Sequence, residues 1–275
     1  MYETMDFYVL YNRFLKKEGY QTLPRRPLEK RKLRYEDVYP VLYLKYRLSR
    51  QAERSNIKHL VIDEMQDYSR LQYLIIRRMF SCKMTILGDR AQTMADHQQD
   101  VLQFLPGIFG KDLRRIEMRK SYRNTVEIAS YAANLIGVTD LELFERHGMP
   151  VLERDVTDLE AALREAVDTL FPDEKTYETA AVIVPDEKTA ERAYLILREI
   201  LAEKDFDCEK RLSWLNRDSS SFKKGLTVTT FYLAKGLEFD QVFSIFPKDE
   251  KREMMMQAQY IAATRALHEL RVYHI

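Results

Sequence analysis

The sequence has little cysteine, almost no net charge and no long apolar run. Its two cysteines, Cys82 and Cys208, lie far apart and lack the spacing of metal ligands. They indicate reduced thiols in a soluble, cytoplasmic protein. No apolar stretch approaches the length of a membrane-spanning helix, and the polar, aromatic amino terminus is not typical of a secretion signal. The formal net charge of +1 neither favours nor excludes nucleic acid as a partner.

The sequence does contain strand-like apolar runs that alternate with helix-like amphipathic segments. The strand predictions are 59–62, 84–87, 113–118, 180–184, 226–231, 241–246 and 270–275. The helix predictions are 2–17, 37–50, 68–80, a helix that ends at Phe104, 125–135, 159–170, 190–201 and 254–267. Strands that alternate with helices predict an α/β fold with a largely parallel sheet in each half of the chain.

Breaks in this pattern predict three segments. Residues 1–56 form a helical segment and linker, which contains prolines and a basic run. Residues 57–137 and 138–275 form two α/β domains, and Gly137, Gly148 and Pro150 mark the boundary between them. We expect the helical segment to continue a structure that begins upstream, because it forms no compact unit by itself.

Polar residues follow the first apolar run at the point where it ends. The buried strand 59–62 leads directly into Asp63 and Glu64, and Asp67 comes shortly after. In open α/β sheets, ligands bind at the carboxyl ends of the strands. Two adjacent carboxylates suit a magnesium nucleotide, because one can hold Mg²⁺ and its neighbour can take a proton from an attacking water. The alternative interpretation is a charged turn in which Asp67 only caps the next helix.

Five stretches with chemistry of this kind occur in order along the chain. They are Val61–Asp67, Leu87–Met94, Lys120–Asn124, Thr230–Asp240 and Gln259–Ala266. Together they resemble motifs II to VI of the superfamily 1 nucleic-acid motor ATPases of the UvrD/Rep kind, over roughly residues 57–275. Each stretch alone is weak evidence, whereas five in order are specific. The resemblance implies two RecA-like domains of the P-loop NTPase type, the first of them incomplete, with ATP bound in the cleft between them.

The resemblance also implies roles for residues of the first domain. Asp63 would coordinate Mg²⁺, and Glu64 would be the general base for ATP hydrolysis. Gln92, in the second motif, would couple the γ-phosphate of ATP to domain movement. The implied cofactors of the complete protein are therefore ATP and Mg²⁺.

For the later motifs, the resemblance places Tyr122 against the adenine ring and Glu238, after Gly236, on the ribose. Arg123 and Arg265 would reach the γ-phosphate as arginine fingers, a role that suits a planar and permanently charged guanidinium. Taken alone, Tyr122 is more typical of a core aromatic, and the alternative interpretation of Arg123 is a surface salt bridge. Arg265 alone is equally typical of an arginine that snorkels at the rim of a core.

The phosphate-binding loop of these ATPases, with the pattern G-x-x-x-x-G-K-[ST], is absent from the sequence. The nearest candidate, Gly107–Lys111, has the wrong spacing and predicts a turn. In the family, the loop precedes the Asp-Glu motif. We therefore expect an upstream domain to carry it, and we expect this chain, as the carboxy-terminal part of a longer protein, not to hydrolyse ATP alone.

One stretch departs from the pattern of the translocating helicases. Tyr232 and Leu233 occupy positions where those helicases carry polar residues that contact the nucleic acid strand. This departure and the segment 33–45 are more similar to the HelD branch, whose members release RNA polymerase from nucleic acid. Two functions therefore stay open: a helicase that acts on single-stranded or duplex DNA, and an ATPase that remodels RNA polymerase. A degenerate scaffold is a third, which the retained acidic and arginine residues disfavour.

Overall fold

The computed structural model describes residues 6–49, 54, 56–89, 92, 100–110, 113–118, 120–138, 142–171, 177–204, 207–219, 224–248 and 253–275. These residues form two compact units, one of residues up to Arg115 and one from Ile116 to Ile275. The units divide before the domain boundary predicted at 137/138. The difference arises because the helix at 126–135 packs against elements near the end of the chain.

The first unit contains four helices and a pair of strands. The elements are α1 (Phe7–Lys17), α2 (Tyr35–Leu48), β1 (His59–Ile62), α3 (Arg70–Met79), β2 (Lys83–Ile86) and α4 (Val101–Phe109). The strands β1 and β2 pair in parallel, with His59 opposite Lys83 and Ile62 opposite Ile86. One face of this pair packs against α3 and α4, whereas Val61 on the other face is 60% exposed. The prediction of a fully buried strand at 59–62 is therefore wrong for that face.

A second small core joins α1 to α2. It consists of Tyr8, Tyr11, Leu15 and Leu23, with Val41 and Leu44 packed against it. The hydroxyl of Tyr11 donates to Asp37 Oδ1 at 2.8 Å, and Arg34 Nε donates to Asp37 Oδ2 at 2.6 Å. Burial, followed by the hydrogen bond to Asp37, raises the pKa of Tyr11 to about 12. The predicted helical segment is therefore packed and ordered within the first unit.

The second unit is a parallel six-stranded sheet between two layers of helices. Its strands are β3 (Lys120–Ser121), β4 (Glu142–Leu143), β5 (Leu152–Asp155), β6 (Thr179–Val184), β7 (Leu212–Trp214), β8 (Gly225–Thr230), β9 (Phe239–Phe246) and β10 (Ala266–His274). Its helices are α5 (Val126–Leu135), α6 (Leu159–Asp168), α7 (Glu187–Ala202), α8 (Cys208–Arg211) and α9 (Glu253–Ala263). The sheet order is β5-β10-β9-β6-β8-β7, and β3 pairs separately with β4.

The central strand β6 shows why this sheet is covered on both faces. Ala180, Val182 and Val184 point into a core shared with α6 and α7, while Ala181 and Ile183 point into a core shared with α5 and α9. All five side chains are fully buried. A strand buried on both faces reads as a continuous apolar run, which is how the sequence presents it. The predicted α/β fold with parallel strands is confirmed.

Two element predictions fail in this unit and at its start. Residues 113–118 pair with no strand among the described residues, and Ile116 and Met118 are 86% and 87% exposed. The helix predicted to reach residue 267 ends at Ala263, because a turn at Thr264 and Arg265 leads directly into β10. Within the described ranges, no helix combines the length and the apolar character needed to cross a membrane.

Candidate functional site

The acidic pair of the first unit lies where β1 ends. Asp63 is exposed, and its Oδ1 accepts a hydrogen bond from the backbone N–H of Glu64 at 2.8 Å. Glu64 is half-buried and adopts a left-handed backbone conformation, with φ 51° and ψ 52°. For a residue other than glycine, such a conformation costs about 1–3 kcal/mol and persists only where surrounding contacts hold it. The structure therefore holds two adjacent carboxylates at a strand end in a strained turn.

A chain of hydrogen bonds runs from Glu64 to Gln92. Gln66, which is 1% exposed, donates from Nε2 to Glu64 Oε2 at 2.5 Å, and its Oε1 accepts from the backbone N–H of Asp89 at 3.1 Å. Asp89 Oδ2 in turn accepts from Gln92 Nε2 at 3.1 Å. The predicted general base and the predicted γ-phosphate sensor are therefore linked through Gln66 and Asp89. This four-residue set is called the relay below.

Close contact between the two strand ends explains the glycine at position 88. The backbone N–H of Met65 donates to the carbonyl of Leu87 at 2.8 Å, which brings the turn after β1 against the end of β2. A Cβ on Gly88 would lie 2.5 Å from Gln66 Oε1 and 2.5 Å from Met65 Cγ. Only glycine therefore allows the relay to form at this separation.

A buried tyrosine supports the turn from the side of α3. Tyr73 is fully buried and donates from its hydroxyl to the carbonyl of Met65 at 3.0 Å. Burial raises the pKa of Tyr73, so its hydroxyl keeps the proton and remains a donor at neutral pH. Ser69 and Gln72 begin α3 with a reciprocal capping box. The charged turn is thus a supported structure, and Ser69, rather than Asp67, caps the helix.

The first unit can contribute to a magnesium site but does not complete one. Among the described residues, no group of three His, Cys, Asp or Glu side chains is placed to hold a metal ion. Mg²⁺ commonly keeps several waters and is bound by one or two carboxylates together with the phosphates of a nucleotide. The exposed carboxylate of Asp63 fits such a site, in which most ligands come from elsewhere.

In the second unit, the loop before β9 brings the predicted arginines together. Arg123 Nε lies 2.7 Å from Glu238 Oε1. Arg265 Nη1 donates to the carbonyl of Leu237, the neighbouring residue, at 3.4 Å. The two arginines therefore contact consecutive residues after Gly236: Arg265 contacts Leu237, and Arg123 contacts Glu238. Gly236 has φ +77°, in the left-handed region that favours glycine, and this conformation turns the chain into the loop.

The two arginines differ in exposure. The side chains of Arg123 and Glu238 are 48% and 40% exposed, so the surface salt bridge that the sequence left open is present. Arg265 is 2% exposed, and its guanidinium also donates to the carbonyl of Ile261 at 3.2 Å and to the hydroxyl of Thr264 at 3.0 Å. It is buried rather than snorkelling at a rim. To bind Arg123, a ligand would have to displace Glu238. To bind Arg265, it would have to displace acceptors that include the backbone carbonyls of Ile261 and Leu237.

Asn124 joins the Arg123 loop to the Arg265 turn. Its side chain is buried and donates from Nδ2 to the carbonyl of Ala266 at 2.6 Å and to that of Thr264 at 3.3 Å. The next residue, Thr125, caps α5 by accepting from the N–H of Ile128. Two segments that are distant in sequence are thereby fixed to each other. The sequence contains no signal that distinguishes this asparagine from an ordinary loop residue.

Tyr122 lies on the surface of the same loop. Its side chain is 60% exposed, so it is not the core aromatic that the sequence alone would allow. Its ring packs against Phe144 with 5.5 Å between centroids, and Lys120 Nζ lies 5.5 Å from the same ring. An exposed aromatic ring is suited to stacking on a planar ligand.

The structure thus forms two groups of predicted residues, each within one unit. Asp63, Glu64 and Gln92 come together in the first unit. Tyr122, Arg123, Gly236, Glu238 and Arg265 come together in the second. Sequence reasoning assigned no role to Gln66, Asp89 or Asn124. Burial of a polar side chain is the signal that reveals Gln66 and Asn124, and it is visible only in the structure.

The remaining phosphate-loop candidate is part of a helix. The prediction of a turn at Gly107–Lys111 is wrong for residues 107–109, which form the last turn of α4. Gly110, with φ +83°, ends that helix. Lys111 lies outside the described residues. Backbone N–H groups in the last turn of a helix are bonded to carbonyls of the same helix. This segment therefore cannot offer the cradle of N–H groups that a phosphate-binding loop supplies.

A family model matches the amino-terminal part of the chain. Residues 2–98 match the family described as the UvrD/REP helicase N-terminal domain. The matched stretch contains Asp63, Glu64 and the rest of the relay. No curated protein sequence matches the chain.

Several solved structures are similar to the chain. The C-terminal domain of a possible DNA helicase from Lactobacillus strain WCFS1 is 24% identical, covers 56% of this chain and 88% of its own, and has a TM-score of 0.44. PRRSV helicase is 18% identical; the match covers 79% of this chain and 35% of the PRRSV helicase chain, with a TM-score of 0.43. Arterivirus nonstructural protein 10 (helicase), in a complex with DNA, is 15% identical over 79% of this chain and 39% of its own, with a TM-score of 0.42. The chain therefore spans well under half the length of these viral helicases.

Proposed function

We propose that this chain belongs to a superfamily 1 helicase-like ATPase that couples ATP hydrolysis to movement on nucleic acid, and that its two units are RecA-like domains. One observation carries the proposal: within the stretch that matches the UvrD/REP helicase family, the relay links Glu64, which follows β1, to Gln92, which follows the neighbouring strand β2. A general base and a phosphate-sensing residue at neighbouring strand ends are what a nucleotide-driven motor requires.

The residues of the first unit take these proposed roles. Asp63 would hold Mg²⁺, for which its exposed carboxylate is suited, and the bound magnesium nucleotide would supply the phosphoryl group to be hydrolysed. Glu64 would accept the proton of the attacking water. Gln66 would orient the Glu64 carboxylate, since its amide donates directly to it. Gln92 would respond to the γ-phosphate and pass that response to Glu64 through Asp89 and Gln66.

In the second unit, Arg123 and Arg265 would stabilise negative charge on the transferred phosphoryl group. Tyr122 would stack on the adenine ring, which its exposure permits. Glu238 would hold the ribose after Gly236 turns the chain, and in the structure it holds Arg123 instead. We propose that Glu238 pairs with Arg123 when no nucleotide is bound, and that a bound nucleotide would replace Glu238 as the partner of the guanidinium. The phosphate-binding loop would come from a segment outside these 275 residues.

A second candidate function is favoured by Tyr232. Its hydroxyl donates to Glu187 Oε1 at 3.1 Å, and its ring meets Phe231 edge-on with 5.4 Å between centroids. The side chain at a position that would contact nucleic acid is therefore engaged within the second unit. This favours an ATPase of the HelD type, which would act on RNA polymerase and release it from nucleic acid.

ATP hydrolysis by the natural protein that carries this sequence tests both candidates. Glu64→Gln should lower the rate about 10²–10⁴-fold, because the amide cannot accept the proton. Arg123→Ala should lower it about 10³–10⁵-fold if the guanidinium acts as an arginine finger. Glu203→Gln, on the surface after α7, serves as the matched control for an exposed carboxylate.

Stimulation of that hydrolysis separates the two candidates. Single-stranded DNA should accelerate hydrolysis by a helicase, and RNA polymerase should accelerate hydrolysis by a polymerase-releasing ATPase. Hydrolysis by Glu64→Gln at the wild-type rate would overturn the proposal, as would a natural protein with no ATPase activity under either condition.

A further inference from the structure

Away from the predicted site, one concave surface of the first unit collects arginine and tyrosine side chains. A pocket of about 400 Å³ lies between α2 and α3. It is lined chiefly by Tyr43, Tyr46, Arg47, Leu74, Arg77 and Arg78. We refer to it as the arginine pocket. Its volume falls within the range of about 300–1,000 Å³ that is usual for small-ligand sites.

Each helix contributes one face to the arginine pocket. On α2, Tyr43, Tyr46 and Arg47 have the spacing i, i+3, i+4, which places them on the same side of a helix. On α3, residues 74, 77 and 78 repeat that spacing. The opposite side of α3 carries Tyr73 and Ile76, which pack into the core of the first unit. The pocket residues are therefore the outward face of a helix whose position the core fixes.

The charges of the arginine pocket are not neutralised within the described structure. Arg47, Arg77 and Arg78 are exposed, and none of them forms an ion pair with another described residue. Arg78 Nε donates to the backbone carbonyl of Tyr46 at 3.1 Å, which ties its side chain across to α2. Among the described residues that line the pocket, none has an acidic side chain. Three guanidinium groups around one cavity repel one another, and an anion in the cavity relieves that repulsion.

We infer that the arginine pocket binds one nucleotide unit of a single-stranded nucleic acid. Guanidinium groups bind phosphate oxygens with two parallel hydrogen bonds, so Arg47 and Arg77 account for the backbone phosphates. The half-buried rings of Tyr43 and Tyr46 would stack on a base, since aromatic side chains stack on bases of every type. The carboxylate side chains of a peptide of aspartate and glutamate would pair with the arginines but supply no ring to stack on the tyrosines.

This inference rests on the proposed function in one respect, which is that the ligand is a nucleic acid. The pocket lies wholly within the first unit, and it includes none of the residues of the acidic pair or the relay. It therefore adds a strand contact separate from the nucleotide chemistry proposed above.

Binding of a fluorescein-labelled oligothymidylate, followed by anisotropy over a series of salt concentrations, tests the inference with the whole chain. Arg77→Glu should weaken binding about fivefold or more and lower the slope of log affinity against log salt by about 0.7, the value of one lost single-strand phosphate contact. Lys45→Glu is the control. It makes the same change of charge on α2, but residue 45 lies on the side of that helix opposite to residues 43, 46 and 47. Thermal melting confirms that both variants are folded.

A second variant separates base from phosphate recognition. Tyr43→Leu should weaken binding of the oligothymidylate about fivefold or more, because one stacking contact is lost. It should leave the affinity for an abasic oligonucleotide of equal length unchanged. A labelled polyglutamate should show neither the loss with Tyr43→Leu nor the difference between Arg77→Glu and Lys45→Glu.

The outcomes distinguish this inference from the proposed function. If the wild-type chain binds oligothymidylate and Arg77→Glu behaves like Lys45→Glu, only the arginine pocket assignment is overturned. If only polyglutamate binding depends on Arg77, the pocket is a site for acidic peptide and the inference is wrong. If the wild-type chain binds no oligothymidylate at low salt, the inference and the proposed nucleic acid partner are both overturned.

Discussion

The buried amide of Gln66 donates to the carboxylate of Glu64 and accepts from the backbone of Asp89. A single side chain thus joins the ends of β1 and β2 and orients the proposed general base. Its side chain is 1% exposed, so the amide that holds both partners is itself shielded from solvent. The expected behaviour of several variants follows from contacts of this kind.

Replacement of Gln66 should destabilise the first unit. Gln66→Leu keeps the approximate volume but leaves the Asp89 N–H and the Glu64 carboxylate without their partner, which costs about 1–3 kcal/mol. Urea denaturation followed by circular dichroism measures the change. Gln21→Leu, at an exposed position before α2, should have little effect. Equal midpoints for the two variants would show that the relay contributes nothing to stability.

Gly88→Ala should be more disruptive than a glycine replacement usually is. The added Cβ would lie 2.5 Å from Gln66 Oε1 and 2.7 Å from the backbone nitrogen of Met65, so the strand ends must separate. We expect a loss of about 1–3 kcal/mol in unfolding free energy. Gly107→Ala is the matched control, because nothing lies within 4 Å of its added Cβ and alanine is favoured in a helix by about 1 kcal/mol. The prediction fails if both alanines stabilise the protein.

Asn124→Ala should loosen the second unit where its arginines meet. The substitution removes two hydrogen bonds to buried carbonyls of Thr264 and Ala266, at a cost of about 1–3 kcal/mol. Amide hydrogen exchange measured by mass spectrometry should show faster exchange at the start of β10 and in the loop that carries Arg123. Asn134→Ala, at an exposed position of α5, provides the comparison. Unchanged exchange at both segments would contradict the role assigned to Asn124.

The salt bridge between Arg123 and Glu238 should contribute little to stability. Both side chains are roughly half exposed, and pairs of that kind are worth about 0–1 kcal/mol. A double-mutant cycle with Arg123→Ala and Glu238→Ala, measured by urea denaturation, should therefore give a small coupling energy. A coupling above about 2 kcal/mol would instead mark the pair as structural and argue against its exchange with a nucleotide.

Acid should weaken the contact between α5 and the loop at residues 146–148. Glu127 accepts hydrogen bonds from His147 at 3.0 Å and from the backbone N–H of Gly148 at 2.9 Å. The hydrogen bond from His147, followed by backbone N–H donors, lowers the pKa of Glu127 to about 2. A lowered pKa stabilises the folded state fully above the ordinary value of 4.5, and this stabilisation is lost as pH falls from there toward about 2.

Thermal melting between pH 2 and pH 7 checks this expectation. The wild-type chain should lose more stability than Glu127→Gln as the pH falls through that window, and at pH 7 the variant should be less stable by about 1 kcal/mol. Glu145→Gln, also near this loop and exposed, supplies a control for the loss of one carboxylate. Parallel melting curves for wild type and Glu127→Gln would refute the assignment.

The buried strands of the second unit could be predicted from sequence because their composition has a single physical explanation. Apart from Gly225 at the start of β8, the strands β6 and β8 are apolar or β-branched along their length, and β9 is apolar except at Asp240, Gln241 and Ser244; a sheet covered on both faces favours this composition. By contrast, β5 reads Leu-Glu-Arg-Asp and lies at the sheet edge, where three of its four side chains are exposed. Its pairing comes from backbone hydrogen bonds to β10, which leave no pattern in the side chains.

For the candidate site, the sequence indicated which residues to inspect but not how they are connected. The acidic pair was visible because charged residues directly follow an apolar run. The contact between Arg123 and Glu238 was not, since a salt bridge between distant residues depends on tertiary packing. The burial of Arg265 was hidden for a similar reason, because its partners include the backbone carbonyls of Ile261 and Leu237, and every residue has a carbonyl.

The position of β10 has a consequence for synthesis on the ribosome. In the described sheet, β5 lies at the edge and pairs with β10 alone, although β10 follows it by roughly a hundred residues. At a synthesis rate of about 5–20 residues per second, β10 is made about 5–20 s after β5, and β5 cannot form this pairing before then. Its charged side chains keep it soluble during that interval, when an apolar strand of the same length would invite pairing with another nascent chain.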